Sequence, residues 1–453
     1  MRCFLSLWIC LLLGFSKNLN AGENFIPLVT KPFLDGGDAV AISIGVIKDG
    51  KTTVFHHGEI ELGGGKTPNS DTLYEIGSIT KVFTALMLAR DVVGKQLALE
   101  TPVASLMGES FIMPSYQKDN NHHEIELLHL ATHTSRLPRL PDDMFQGANP
   151  EDPYAHYDQD RLRASLGAQV LTAAPGGKPV LYSNYGFGLL GFSLAEKHAT
   201  SYAALLKKSW LTPLGMNSTF VTPPLSVVRA KGYDIAHGDQ SFWSIDALAG
   251  AGAVDSNLTD MLTFARFCLK PKDPQLSAAL ELSMKAHVVT NGRAQCLGWQ
   301  RAADQTTYWH NGQTGGFASY FAFNRKYKVA VCILSSGASP HLTPLGEHLV
   351  RCVASGKPKP FPMSRINIKA TIDEKKLKAL AGKYQLAPGK VFTIKTRNNR
   401  LFAKLTGQSF LEVFPESATV FSYRAVKAKL EFVPGKNLTL FQNGQELIAE
   451  KLP

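Results

Sequence analysis

Two strand-rich segments lie far apart in this chain, with a long run of helical and loop pattern between them. They constrain the fold more than any other feature. The first, AVAISIGVIKDGKTTVFHHGEI (39–60), alternates around Asp49-Gly50, a hairpin signal. The second, TTYWHNGQTGGFASYFAFNRKYKVAVCILSSGA (306–338), reads as three strands joined by Gly-rich and Asn-Arg-Lys turns. Strands at both ends with helices between predict one lobe closed by the two ends of the region, with a helical part inserted. Beyond SGKPKPFP (355–362) the pattern changes. VFTIKTRNNRLFAKL, TVFSYRAVKAKLEFV and NLTLFQNGQELIAEKL alternate with period two, and turn signals fall at Asn398-Asn399, Pro434-Gly435 and Asn443-Gly444. The expected architecture is α+β followed by a small all-β domain: a larger domain of sheet and helices over 24–354, a linker over 355–365 and a barrel-like antiparallel domain over 366–453.

The chemistry-bearing residues fall into three motifs. In EIGSITKVFTALMLARDVV (75–93), Ser78 and Lys81 stand three apart where a buried helix begins. Residues three apart share a helix face. A serine becomes a nucleophile when a base adjoins it, and an amine of lowered pKa can be that base. By itself the pair reads equally as an N-cap and a solvated first-turn lysine, because S-x-x-K is short and common. In LYSNYGFGLLG (181–191), Tyr182 and Asn184 lie in a polar turn before a second apolar helix. A tyrosine there can exchange a proton with the serine or a leaving group, provided nearby positive charge lowers its pKa. Asn184 can hold a substrate amide or Lys81. In HNGQTGGF (310–317), glycines on a strand edge let backbone approach a ligand. There His310 can supply a donor or a positive charge to a substrate carboxylate. Each motif alone also has a structural explanation.

Composition narrows the partners. Of the net +11 on 453 residues, about +8 lies from Ile366 onward, with 15 Lys and Arg against 7 Asp and Glu. That suits contact with an anionic polymer such as cell wall, although a basic solvated surface explains it too. Basic runs interleaved with aromatics are missing, which argues against single-stranded nucleic acid. Arg2, the apolar stretch Cys3–Phe15 and Ala21 form a signal-peptide pattern over 1–21, and its apolar core is short for a membrane span. The expected location is therefore periplasmic or secreted, with no membrane span after cleavage. Cys268, Cys296, Cys332 and Cys352 are far apart without C-x-x-C spacing, and Walker, Rossmann and H-E-x-x-H motifs are absent. No metal and no cofactor are expected.

In their order and spacing, Ser78-Ile79-Thr80-Lys81, Tyr182-Ser183-Asn184 and His310-Asn311-Gly312 resemble the S-x-x-K, Y-x-N and K/H-x-G motifs of the penicillin-recognising serine hydrolases. These comprise class C β-lactamases, DD-peptidases including the AmpH-type carboxypeptidase/endopeptidases, and related esterases. The stretches LLHLATHTSRLPRLP and AGAVDSNLTDMLTFARF agree with the resemblance, which covers about residues 24–354. It implies an exported acyl-transfer enzyme acting on D-alanyl-D-alanine peptides, β-lactams or both. Its substrate would be a small molecule or a peptidoglycan peptide. By the same resemblance Ser78 is the nucleophile, Lys81 assists its deprotonation and Tyr182 is the acid–base partner. Asn184, His310, Asn311, Gly312 and Gln313 bind substrate, the Ser78 and Gln313 N–H groups forming an oxyanion hole. An esterase or a penicillin-acylated sensor on the same scaffold is the alternative. Two departures stand out: His310 where many β-lactamases carry lysine, and Arg136 where the family usually has glycine.

Overall fold

The computed structural model describes residues 25–118, 121–363, 372–397, 399–408, 410–423 and 427–453. The signal peptide expected over 1–21 and part of the linker expected over 355–365 lie outside them. In chain order, helix Ile26–Asp35 (α1) precedes the hairpin of Ala41–Lys48 (β1) and Lys51–Gly58 (β2). Strand Tyr74–Glu75 (β3) and a tight turn at Gly77–Ile79 lead into Thr80–Val93 (α2). Asn184–Lys197 (α3) follows in the middle region, then Asp255–Ser256 (β4) and Leu258–Leu269 (α4). Val288–Thr290 (β5), Arg293–Gln295 (β6) and Gln300–Arg301 (β7) precede Thr307–Gln313 (β8), Phe317–Asn324 (β9) and Val329–Ser336 (β10). Leu342–Ser355 (α5) ends this part.

The two distant strand segments meet in one eight-stranded sheet of order β2-β1-β10-β9-β8-β7-β6-β5. β1 and β10 are antiparallel neighbours, with Ile44 opposite Ile333. All eight residues of β10 are buried, because both sheet faces are covered. Ala330, Cys332 and Leu334 enter the large core with α2 and α4. Val329, Val331 and Ile333 pack on the other side with residues of α1 and α5. Burial on both faces removes the polar alternation, so this strand reads as an unbroken apolar run. The helices start where short polar side chains satisfy free N–H groups: Ser183 accepts from Gly186 N and Asn257 from Asp260 N. Between 132 and 158 the chain makes turns but no helix, in keeping with prolines at 138, 141, 150 and 153.

The C-terminal strands form a closed eight-stranded barrel, Gly382–Ala387 through Gln445–Lys451, whose first and last strands pair. Inward residues alternate with outward ones, as in Ala428, Leu430 and Phe432 against Lys429, Glu431 and Val433. Closure removes free sheet edges. The barrel touches the sheet domain through Phe402 and Phe410, which pack on Ile235. Beside them Arg400 pairs with Glu412, donates to the Gly36 carbonyl and lies 3.5 Å from the buried Asp38.

β3 and β4 set Glu75 opposite Asp255, both buried. Glu75 accepts from the Trp243 N–H and from the Thr314 hydroxyl, each at 2.6 Å. Asp255 accepts from Arg229 at 2.8 Å. Burial, then the charge of Asp255, pushes the Glu75 carboxyl up to about 8. Burial likewise pushes Asp255 up to about 7, against the pull of Arg229. The native state therefore keeps protons that the unfolded chain releases in the ordinary carboxyl range. The pair's contribution to stability is greatest at low pH and is lost as pH rises from about 4 to about 8. Thermal melting between about pH 5 and pH 9 should show this decline, and Glu75→Gln should make it shallower. Parallel curves for wild type and variant would refute the assignment.

Candidate active site

Ser78 sits in the tight turn ahead of α2, and its side chain makes no capping bond at the helix start. Two glycines hold this turn against β8. Gly77 has φ +49°, and a Cβ there would lie 2.8 Å from the Gln313 nitrogen. A Cβ on Gly312 would come within 1.9 Å of the Ile76 carbonyl oxygen. Only residues without a side chain allow this approach. The first and third motifs are thereby in contact, although most of the sheet domain separates them in sequence.

Lys81 is one helical turn along and is completely buried. Its Nζ is 3.0 Å from Ser78 Oγ, 2.8 Å from Asn184 Oδ1 and 2.6 Å from the Ala251 carbonyl oxygen. Burial, reinforced by the charge of Arg139, holds its pKa well below that of a free lysine. A neutral amine has two N–H donors and one lone pair. Asn184 Oδ1 and the Ala251 carbonyl can only accept, so they take the two donors. The lone pair is left for the Ser78 hydroxyl. In its neutral form, which burial favours, Lys81 would be a base aimed at one proton.

Asn184 is the first residue of α3, and Ser183 caps that helix while donating to the Pro138 carbonyl at 2.6 Å. The Asn184 amide donates to the Tyr154 hydroxyl at 3.0 Å. Tyr182 lies just before the cap. Its ring is 4.9 Å from Lys81 Nζ and 4.4 Å from the His133 ring. His133 takes the Ser183 N–H on Nδ1 at 3.1 Å. Burial pushes the Tyr182 phenol up to about 12, opposed by a hydrogen bond with Ser78 and the charge of Arg139. The lowered tyrosine pKa expected from nearby positive charge is not found, because loss of solvent outweighs that charge. Tyr182 thus keeps a proton that it can give, and the lowered pKa of Lys81 suits it to take one.

Arg136 occupies a left-handed conformation, φ +67°, where glycine is the easier residue. Its guanidinium donates to the carbonyls of Ala174, Gly176, Lys178 and Pro179. Leu181 N–H donates to the His133 carbonyl at 2.9 Å, so the same loop is fastened again just before Tyr182. The arginine thus clamps the segment that delivers the tyrosine.

On β8, His310 is 2% exposed and donates from Nδ1 to the Asn311 carbonyl at 2.6 Å. Burial, with the charge of Lys81 adding to it, pushes its pKa down to about 3. Of the two things expected of His310, a donor or a positive charge toward a substrate carboxylate, burial disfavours the charge, and the Nδ1 hydrogen is engaged by the Asn311 carbonyl. Asn311 is half-buried and Gln313 is exposed. β7 pairs with β8 only at Tyr308 and Trp309. Among the described residues, then, 310–313 have a strand partner on one side only, which leaves an edge open to an extended ligand.

Ser78, Asn184 and Gln313 border an open cleft, whose walls also include Tyr154 and Trp243. Tyr154 and Trp243, with rings 5.2 Å apart, were not singled out by sequence. They come from irregular loops without a motif. Ala251 lay in a recognisable stretch, but nothing in its side chain signals that its carbonyl is the useful group. Among the described residues, no group of three or more His, Cys, Asp or Glu side chains is placed to hold a metal ion. All four cysteines there are buried free thiols.

The chain is similar to known proteins over most of its length. A β-lactamase from Pseudomonas fluorescens is 25% identical over 351 residues, covering 69% of this chain and 92% of that one. A penicillin-binding protein of Bacillus subtilis is 24% identical over 432 residues, 88% of this chain and 92% of the relative. The structure of an octameric penicillin-binding protein homologue from Pyrococcus abyssi superposes with a TM-score of 0.62 at 22% identity, covering 92% of this chain and 98% of that one. This last likeness concerns the fold. The β-lactamase family profile matches residues 29–354, from within α1 to within α5. On that match this chain belongs to the β-lactamase family, whose members are serine hydrolases.

Proposed function

We propose that this protein is an exported acyl-transfer hydrolase that cleaves amide bonds of D-alanyl-D-alanine peptides and of β-lactams through a Ser78 ester. The reading is carried by one observation: a fully buried Lys81 amine 3.0 Å from Ser78 Oγ, with its N–H groups taken by two other acceptors. In the first step the Ser78 proton passes to Lys81 as Oγ bonds to the substrate carbonyl carbon. The carbonyl electron pair moves onto oxygen, where the Ser78 and Gln313 N–H groups would hold it. When the tetrahedral centre collapses, the C–N bond breaks and the Tyr182 hydroxyl protonates the leaving nitrogen. The Lys81 ammonium then restores the tyrosine proton. Water attacks the ester, its proton leaving through the same groups, and the acid product and free serine result. The names of relatives support the substrate class: a D-alanyl-D-alanine-carboxypeptidase/endopeptidase of Escherichia coli is 32% identical over 189 residues, 42% of this chain. The neutral His310 favours peptidase chemistry over rapid β-lactam turnover.

A time course with a fluorescent penicillin, followed by intact mass, tests the proposal. Wild type should acquire a covalent adduct, or turn the reagent over, and Ser78→Ala should do neither. Labelling that survives in Ser78→Ala, or its absence in wild type, would defeat this reading and direct attention to simple esters.

The rate of acylation should rise with pH along a limb set by Lys81, well below the range of a free lysine. Lys81→Arg places there a cation that does not release its proton and so cannot take one from Ser78. It should lower the rate by about 100-fold or more. A variant rate close to wild type would show that some other group takes the proton.

The barrel is assigned to contact with the anionic wall polymer, on the basis of its surplus of basic residues and exposed Lys383, Lys390 and Lys436. Co-sedimentation with isolated wall should weaken with salt and fall several-fold when these three lysines become glutamate. Equal sedimentation of the two proteins would remove that role.

A further inference from the structure

We propose that Arg139 anchors a carboxylate on the substrate's leaving group, so that the enzyme selects substrates that leave as anions. The proposal rests on the acyl-transfer reading above and names the determinant of its substrate choice.

The basic side chains around Ser78 differ in what they can offer a ligand. Lys81 is buried and has committed its hydrogen bonds within the protein. His310 is buried and spends its N–H on its own strand. Arg136 donates all its hydrogen bonds to the 174–179 loop. Arg139, three residues further on, is placed differently. Its carbonyl accepts the N–H groups of Asn184 and Tyr185 at 2.9 and 3.2 Å, which fastens its backbone to the first turn of α3. Its side chain is exposed, and its guanidinium carbon lies 5.2 Å from the centre of the Tyr182 ring. No hydrogen bond or ion pair holds that guanidinium among the described residues. A fixed backbone, a rigid planar cation and an aromatic ring beneath it make a preorganised donor fork for a carboxylate.

The reaction itself brings the carboxylate there. The leaving nitrogen must come within hydrogen-bond reach of the Tyr182 hydroxyl to be protonated. In an amino-acid leaving group the carboxylate is two bonds beyond that nitrogen. It must then lie alongside the Tyr182 ring, where the Arg139 guanidinium stands. Arg139 also makes itself felt at the reacting groups, since its charge contributes to the lowered pKa of Lys81.

The test uses two aryl esters that differ only in a carboxylate on the leaving phenol. Esters report on Arg139 whether the natural substrate is a peptide, a β-lactam or an ester. Wild type should prefer the carboxylated ester in kcat/KM by about tenfold to 100-fold, the range of a charge-assisted hydrogen bond. Arg139→Ala should bring the ratio close to one, chiefly through KM for the anionic ester, and Arg139→Lys should recover part of it. A wild type without preference, or a preference that survives in Arg139→Ala, would overturn the anchor. Equal losses on both esters in Arg139→Ala would also overturn it, showing that the residue acts through Tyr182 or Asn184 instead. If wild type hydrolyses neither ester in a Ser78-dependent way, the acyl-transfer reading fails first and the anchor with it.

Discussion

Burial of the Lys81 amine is the interaction on which the rest of the site depends. A lysine without solvent is stable only if it gives up its charge or finds full compensation. Here its three partners come from three parts of the chain: the serine turn, the start of α3 and the turn before β4. The lysine therefore pins the helical region to the sheet domain. With its pKa lowered, the amine is also suited to take a proton. Stability and reactivity are served by one arrangement, and both depend on burial of the amine.

Burial shifts the titratable groups packed around the amine. The same loss of solvent that lowers Lys81 raises Tyr182 and lowers His310 and His133. Burial thus favours the neutral form of each of these groups, which suits the division of labour acyl transfer needs. Charge is kept to the rim. Behind the Ser78 turn, Glu75 and Asp255 extend the same logic, since two buried carboxyls served by one arginine hold their protons near neutral pH. Glu75 in turn holds Thr314 and Trp243, which border the cleft.

The barrel follows simpler rules. Its core is built by alternation, its edges are removed by closure, and it meets the sheet domain through an apolar contact beside a buried charge. Arg400, counted in sequence only as part of a basic surplus, is turned inward to Glu412 and Asp38. Net charge says how many cations a domain carries and nothing about which face each of them takes.

By itself the sequence determined what depends on neighbours along the chain. The Asp49-Gly50 hairpin, the period-two strands of the barrel and the helix after Ser78 follow from local pattern, as does the placing of Ser78 and Lys81 on one face. The order of the three motifs was enough to suggest the family. Tertiary structure decided what depends on solvent and on distant partners. Whether Lys81 is a base, whether Tyr182 is an acid and whether His310 is charged are questions of burial, and burial is a property of the whole fold. The Ala251 carbonyl and Tyr154 had no legible signal, and Arg136 stood out only as a departure from the family's glycine, because backbone atoms and loop side chains acquire a role only when folding brings an acceptor or a ring to them. A string of residues fixes which groups are present, while the energy of each depends on what surrounds it.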